Sequence, residues 1–258
     1  MKIFDLHTHG VNGSDTGCAR TETILEMARI QGSLGVNGIL PAVYPGPVDL
    51  MRSQMDAVRQ AMEVQGNQKG HEGSAKILGL YLEGPFLNQG YCGALDPTSF
   101  LFPSEENLAR IIDGFSDIIR IMVVAPELPA AGNIIRKISD LGITVSMGHS
   151  SATYREAEEA FSSGARGVTH LFNAMRPFHH REPGLAGFGL TNPHVFVEVI
   201  ADPYHLHRAV IDLVFRVKRP ERIIIVSDTV GKTTAPGGSG PVIADGEGEM
   251  LLGGSMTV

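Results

Sequence analysis

The chain has no tryptophan and only two cysteines in 258 residues, Cys18 and Cys92. They stand far apart and outside any paired-cysteine motif, which argues against a disulfide framework or a thiolate zinc site. Both are expected as buried apolar thiols. No apolar run approaches the roughly 18 residues of a membrane span, and the N-terminus carries neither a basic leader nor a long apolar segment. Lys and Arg form no runs and the formal net charge is −7, so neither nucleic acid nor an anionic membrane is the expected partner. These absences leave a cytoplasmic protein that handles a small polar molecule.

What is present suggests how it is built. The 43% hydrophobic fraction supports a sizeable core, and 258 residues is a normal length for one α/β barrel. Strand-like runs fall at 2–9, 36–44, 75–83, 119–125, 144–149, 167–172, 195–201 and 222–228. Between them, amphipathic stretches at 21–34, 48–64, 105–112, 130–141, 154–163 and 205–217 repeat apolar residues at three and four. Eight strands with helical crossovers predict a single (β/α)8 TIM-like barrel domain over 1–258. The polar stretch 65–74 reads as a connecting loop. The stretch 176–192, rich in Pro, Gly, His and Arg, reads as a long functional loop without secondary structure. After Asp228 the chain shows Gly-Gly-Ser-Gly at 237–240 and no eighth outer helix.

The richest local feature is Asp5-Leu6-His7-Thr8-His9. Side chains of a strand alternate faces, so His7 and His9 point the same way, about 6 to 7 Å apart along the backbone. Two such imidazoles can share a metal; a surface or core pair is the bland alternative for the motif taken alone. Barrel active sites are built at the C-terminal ends of the strands, and the ionisable residues follow that rule. His7 and His9 end the first strand, Glu83 the third, His149 the fifth and Asp228 the eighth, with His170 near the end of the sixth and His205 after the seventh. All seven are expected at one mouth. Imidazole and carboxylate donors together suit Zn²⁺, Fe²⁺, Mn²⁺ or Co²⁺, as one ion or as two about 3.5 to 4 Å apart. Asp228 is placed to take a proton from water and pass it to a leaving group.

Five segments carry a resemblance: Asp5-Leu6-His7-Thr8-His9-Gly10, Leu82-Glu83-Gly84-Pro85-Phe86, Gly148-His149-Ser150, Thr169-His170-Leu171-Phe172-Asn173-Ala174-Met175 and Val226-Ser227-Asp228. In this order they resemble the amidohydrolase superfamily and, within it, the N-acetylglucosamine-6-phosphate deacetylase family. The resemblance implies a metal-dependent deacetylase of an amino-sugar phosphate, with Glu83, His149 and His170 as core ligands. His7 and His9 resemble the pair of members that hold a second ion. Asp228 would be the proton acceptor and donor, and His205 would bind substrate and orient the scissile amide. Implied substrate contacts also fall at Ala94, Asn173, Ala174, Arg181 and Leu252. Arg181 matches an arginine that reaches a phosphate, often that of a neighbouring subunit, which implies a homodimer. An arginine can present a fork to a phosphate. Ala125-Pro126-Glu127 also looks like a family segment, with Glu127 read as structural. His179 and His180 are expected in solvent, and His71, His194 and His207 on the surface or in packing.

The sequence departs from the family in three places. Relatives carry Gly-Ala-His after the Glu-Gly-Pro segment, and that histidine contacts phosphate; here the text is Gly93-Ala94-Leu95. Losing one charge-assisted hydrogen bond costs about 1.5 to 3 kcal/mol, or one to two decades in affinity. The strands that build a small β-sandwich in relatives are absent before Lys2, and the last outer helix is not found before Val258. Leu95 keeps open an amidohydrolase acting on another N-acyl or cyclic amide, and the shortened ends keep open a catalytically impaired ligand-binding barrel.

Overall fold

A computed structural model describes residues 2–67 and 73–233, and the strands Ile243–Asp245 and Gly248–Met250. Two compact units are distinguished: Met1–Tyr44 with Asp49–Tyr81 and Ser227–Val258, and Pro45–Val48 with Leu82–Val226.

In the first unit, β1 (Phe4–Thr8) leads through α1 (Thr21–Ser33) to β2 (Gly38–Val43), which it pairs in parallel. The register shifts between Asp5 and Thr8, where His7 lies. All six residues of β2 are buried, as expected of a parallel strand covered on both faces. The helix α2 (Val48–Asn67) follows and buries Met51, Met55, Val58 and Ala61 along one face, the spacing of an amphipathic helix.

The second unit takes up the chain within β3 (Leu80–Phe86), which is buried throughout. It continues through α3 (Glu105–Ile112), β4 (Ile119–Val124), α4 (Ala131–Asp140), β5 (Thr144–Met147), α5 (Tyr154–Ser162), β6 (Ala165–Val168), α6 (Gly184–Thr191), β7 (Phe196–Val199), α7 (Arg208–Val217) and β8 (Ile223–Ile225). Strands β4 to β8 pair in parallel in chain order. Local signals define the helices. Ser104 caps α3 by accepting from the Asn107 amide, and Thr153 and Glu156 close a capping box on α5. Parallel strands paired in sequence order and returned by helices give the (β/α)8-barrel class of fold.

Several expectations change. The stretch read as a bare loop holds α6, whose Gly-Leu-Ala-Gly-Phe-Gly-Leu-Thr sequence has low helix propensity. Packing overrides propensity there: Gly184 to Leu190 are all buried, and a side chain on Gly189 would meet Leu171 Cδ1 at 3.1 Å. Lys218 fastens the far end, its Nζ donating to the Gly189 and Asn192 carbonyls at 2.7 and 2.5 Å. The sixth strand ends at Val168, so His170 lies on the loop beyond it, and α7 starts at Arg208, leaving His205 outside the helix. Cys18 is exposed and Cys92 half-buried, both free, because short surface turns carry them. His71 and 237–240 lie outside the described residues, among which no helix follows β8.

Candidate metal centre

In the first unit His7, His9 and Asp228 converge. His7 Nε2 lies 3.3 Å from His9 Nε2, and Asp228 Oδ1 lies 3.4 and 3.6 Å from the same two atoms. The histidines are buried and the Asp228 side chain is 19% exposed, leaving the carboxylate as the accessible member. The rings are held from behind, His7 stacked on Tyr81 and His9 on Tyr44, with centroids 4.1 and 3.9 Å apart. His9 Nδ1 donates to the Ala42 carbonyl at 3.0 Å. Asp228 is anchored by its own amide, which donates to the His7 carbonyl at 2.9 Å. Asp5 accepts from the Ser227 amide and hydroxyl, stitching β1 to the segment that carries Asp228. Burial pushes the Asp5 carboxyl up, against the pull of those Ser227 hydrogen bonds.

In the second unit Glu83, His149 and His170 form a tighter and fully buried set. Glu83 Oε1 is 3.1 Å from His149 Nε2 and 3.2 Å from His170 Nε2, and the two nitrogens are 3.1 Å apart. His149 Nδ1 faces the Tyr91 carbonyl at 3.0 Å, and His170 Nδ1 faces the Asn173 carbonyl at 3.2 Å. A carbonyl only accepts, so each Nδ1 carries a proton and Nε2 is the nitrogen turned inward, toward Glu83.

Two imidazole Nε2 atoms and a carboxylate oxygen therefore meet in a buried space, an arrangement that suits a cation. The spacing fits. Tetrahedral ligands about 2.0 to 2.1 Å from an ion lie roughly 3.3 Å from one another. Each triad is a divalent-metal-binding set, and its mixed nitrogen and oxygen donors suit a first-row transition metal.

No family model matches the chain. It is 35% identical over 236 residues to N-acetylglucosamine-6-phosphate deacetylase of Vibrio furnissii, covering 92% of this chain and 57% of that protein. It is 32% identical over 235 residues to N-acetylgalactosamine-6-phosphate deacetylase of Escherichia coli O157:H7, covering 91% and 60%. Among solved structures, N-acetylglucosamine-6-phosphate deacetylase of Thermotoga maritima superposes with a TM-score of 0.80 at 29% identity, over 90% of this chain and 60% of that one. The Mycobacterium smegmatis enzyme superposes at 0.83 and 26%, over 98% and 66%. The chain is homologous to the N-acetylglucosamine-6-phosphate deacetylases of the amidohydrolase superfamily. It spans 57% to 60% of the length of the curated deacetylases named here.

The remaining positions suggested by the deacetylase resemblance are distributed as follows. Gly93 and Ala174 approach closely: a side chain on Gly93 would meet the Ala174 Cβ at 3.3 Å and His149 Cε1 at 3.6 Å. Gly93 thus lies against Ala174, beside the second triad, and Ala94 follows it exposed. Gly93 has φ +58°, a conformation in which a side chain is strained. Leu95 is half-buried one turn on. Arg181 lies exposed, outside both triads, its amide donating to His179 Nδ1 at 3.3 Å. His179, His180, His194 and His207 are exposed. Leu252 lies outside the described residues.

His205 also stands outside the triads, and the structure pairs it with Asp202. Asp202 Oδ2 accepts from His205 Nδ1 at 2.8 Å, while Oδ1 accepts from the Tyr204 and His205 amides at 2.8 and 2.7 Å. Burial raises the Asp202 carboxyl, but the hydrogen bonds from His205 and the amides, with the imidazole's charge, outweigh it and hold the group below its ordinary range. The Asp-x-x-His spacing was the available signal, a loop carboxylate three residues before a loop histidine.

Proposed function

We propose that the protein is a metal-dependent deacetylase that hydrolyses the N-acetyl group of an amino-sugar phosphate, N-acetylglucosamine 6-phosphate being the first candidate. The convergence of Nε2 atoms and carboxylates in each triad carries the reading. Bound there, Zn²⁺ or Fe²⁺, with Mn²⁺ or Co²⁺ as alternatives, would supply Lewis-acid polarisation and an acidified water.

The chain's own residues account for the rest. Asp228, the accessible member of its triad, takes a proton from the attacking water as the new C–O bond forms. It returns the proton to nitrogen as the amide C–N bond breaks, releasing acetate and the amine. His205, with Nδ1 committed to Asp202, presents Nε2 to the acetyl oxygen and steadies the charge that develops there. The segments at Ala94 and Asn173–Ala174 contact the sugar phosphate. Exposed Arg181 reaches a phosphate in a homodimer, whose assembly sedimentation would test. A charged sugar phosphate as substrate places the protein in the cytoplasm.

Release of acetate and free amine from N-acetylglucosamine 6-phosphate tests the reading, with the galactosamine epimer and the unphosphorylated sugar alongside, on protein loaded with Zn²⁺ or Fe²⁺. Turnover that requires both metal and phosphate is the expected result. A half-buried Leu95, unable to donate to an anion, favours a second reading in which another N-acyl or cyclic amide is the substrate. Turnover of N-acyl amino acids but not of sugar phosphates would select it. Tight metal binding without hydrolysis of either class would refute both enzymatic readings.

A further inference from the structure

Both histidines of the second triad sit where strand pairing has already ended. Strand β5 stops at Met147, and His149 follows in a left-handed conformation with φ +47°; His170 lies two residues past β6 with φ +27°. Such positions persist only where surrounding contacts over-determine them.

One side chain supplies many of those contacts. Glu127, on the loop after β4, accepts four hydrogen bonds. Its Oε2 takes the Ser150 hydroxyl at 2.6 Å. Its Oε1 takes the Ser151 amide at 2.6 Å, the Ser151 hydroxyl at 3.1 Å and the Asn88 Nδ2 at 2.7 Å. From there the network reaches both histidines. Asn88 donates its amide to the His149 carbonyl at 3.0 Å and caps the turn Gln89–Tyr91, whose last carbonyl fixes His149 Nδ1. Ser150 and Ser151 accept from the Arg176 amide and its Nε at 2.9 and 2.6 Å, and the Ser150 amide donates to the Ala174 carbonyl at 3.1 Å. Ala174 directly follows Asn173, whose carbonyl fixes His170 Nδ1.

We propose that Glu127 is the positioning residue of the second triad. It aims the Nε2 atoms of His149 and His170 by holding, through one carboxylate, the loops at Asn88 and at Ser150–Ser151, and through those serines the loop that carries His170. This inference rests on reading Glu83, His149 and His170 as metal ligands. It goes beyond that reading by giving metal affinity a determinant that touches no metal. Outer partners of ligating histidines typically carry about 10- to 100-fold in metal affinity.

The test uses Co²⁺ as the probe on the full chain and its Glu127→Gln and Glu127→Ala variants. Chelator competition gives the two affinities, the visible Co²⁺ spectrum the ligand geometry, and melting of the metal-free protein the fold. Glu127→Gln, similar in volume but with one acceptor oxygen replaced by a donor, should weaken one of the two sites about 10- to 100-fold and alter its spectrum. In a His149→Ala background the same change should add less than about threefold. Glu127→Asp should recover part of the loss. Unchanged affinities and spectrum in folded Glu127→Gln would overturn the proposal, as would a full additional loss in the His149→Ala background. Should Glu127→Ala fail to fold, Glu127→Gln decides. An unmodified chain that binds no Co²⁺ would overturn the metal reading itself, a different outcome from two Co²⁺ sites that ignore Glu127.

Discussion

Replacing Gly148 by alanine probes how closely the second triad is packed. The added methyl would overlap Thr169 Cγ2 and come within 3.5 Å of Thr169 Cβ and Val123 Cγ1. Ordinary carbon contacts lie at about 3.5 to 4.0 Å, so the segments 147–149 and 168–170 must separate by ~1 Å or more. Rotating Thr169 instead gives up its 2.7 Å bond to Glu198 Oε2, worth about 1.5 to 3 kcal/mol as a hydrogen bond to a charged group. Overpacking of this kind costs about 1 to 3 kcal/mol by either route. The displaced residues directly precede or include His149 and His170, whose Nε2 atoms are 3.1 Å apart. A shift of ~1 Å there is large against metal-ligand tolerances of about 0.2 Å. We expect Gly148→Ala to lower stability in urea by about 1 to 3 kcal/mol and Co²⁺ affinity at one of two sites by more than tenfold. Stability within about 0.5 kcal/mol of the parent, with affinity within threefold, would refute the packing argument.

Three further outcomes are expected. Asp228→Asn keeps an oxygen toward His7 and His9 but cannot hold a proton, so acetate release should fall by at least about 100-fold; activity within tenfold of the parent would remove Asp228 from that role. Asp202→Asn places an amide where His205 Nδ1 donates, which should change the ring tautomer seen by nitrogen NMR. Because the folded Asp202 carboxyl titrates below its ordinary range, its contribution to stability is present above that range and lost as pH falls through the depressed value. The stability gap between parent and variant should therefore narrow in acid, and a gap independent of pH would be the contrary result. Leu95→His should lower KM for the phosphorylated sugar about tenfold or more and leave the unphosphorylated sugar unchanged; equal effects on both would show that residue 95 does not meet the phosphate.

The sequence by itself determined the parallel βα succession and the residues that enter the two triads. Those signals are local: all-apolar strands such as Gly38–Val43, amphipathic helices such as Glu105–Ile112, and histidines and acids just beyond the strand ends. Only the tertiary structure decided that Asp228 completes the set of His7 and His9, and how each ring is aimed. Asp228 joins His7 and His9, and Glu83 joins His149 and His170, because main-chain carbonyls from Ala42, Tyr91 and Asn173 orient the rings. Carbonyls are carried by every residue, so the sequence does not mark the ones that serve. Helix α6 was hidden for a related reason: its glycines disfavour a helix locally, and only burial against Leu171 and Val168 makes it stable. Glu127 belongs to the same class: its role arises from loops brought together across many residues of chain, a long-range closure that local periodicity does not encode. Asp202, three residues before His205, is by contrast a local partner.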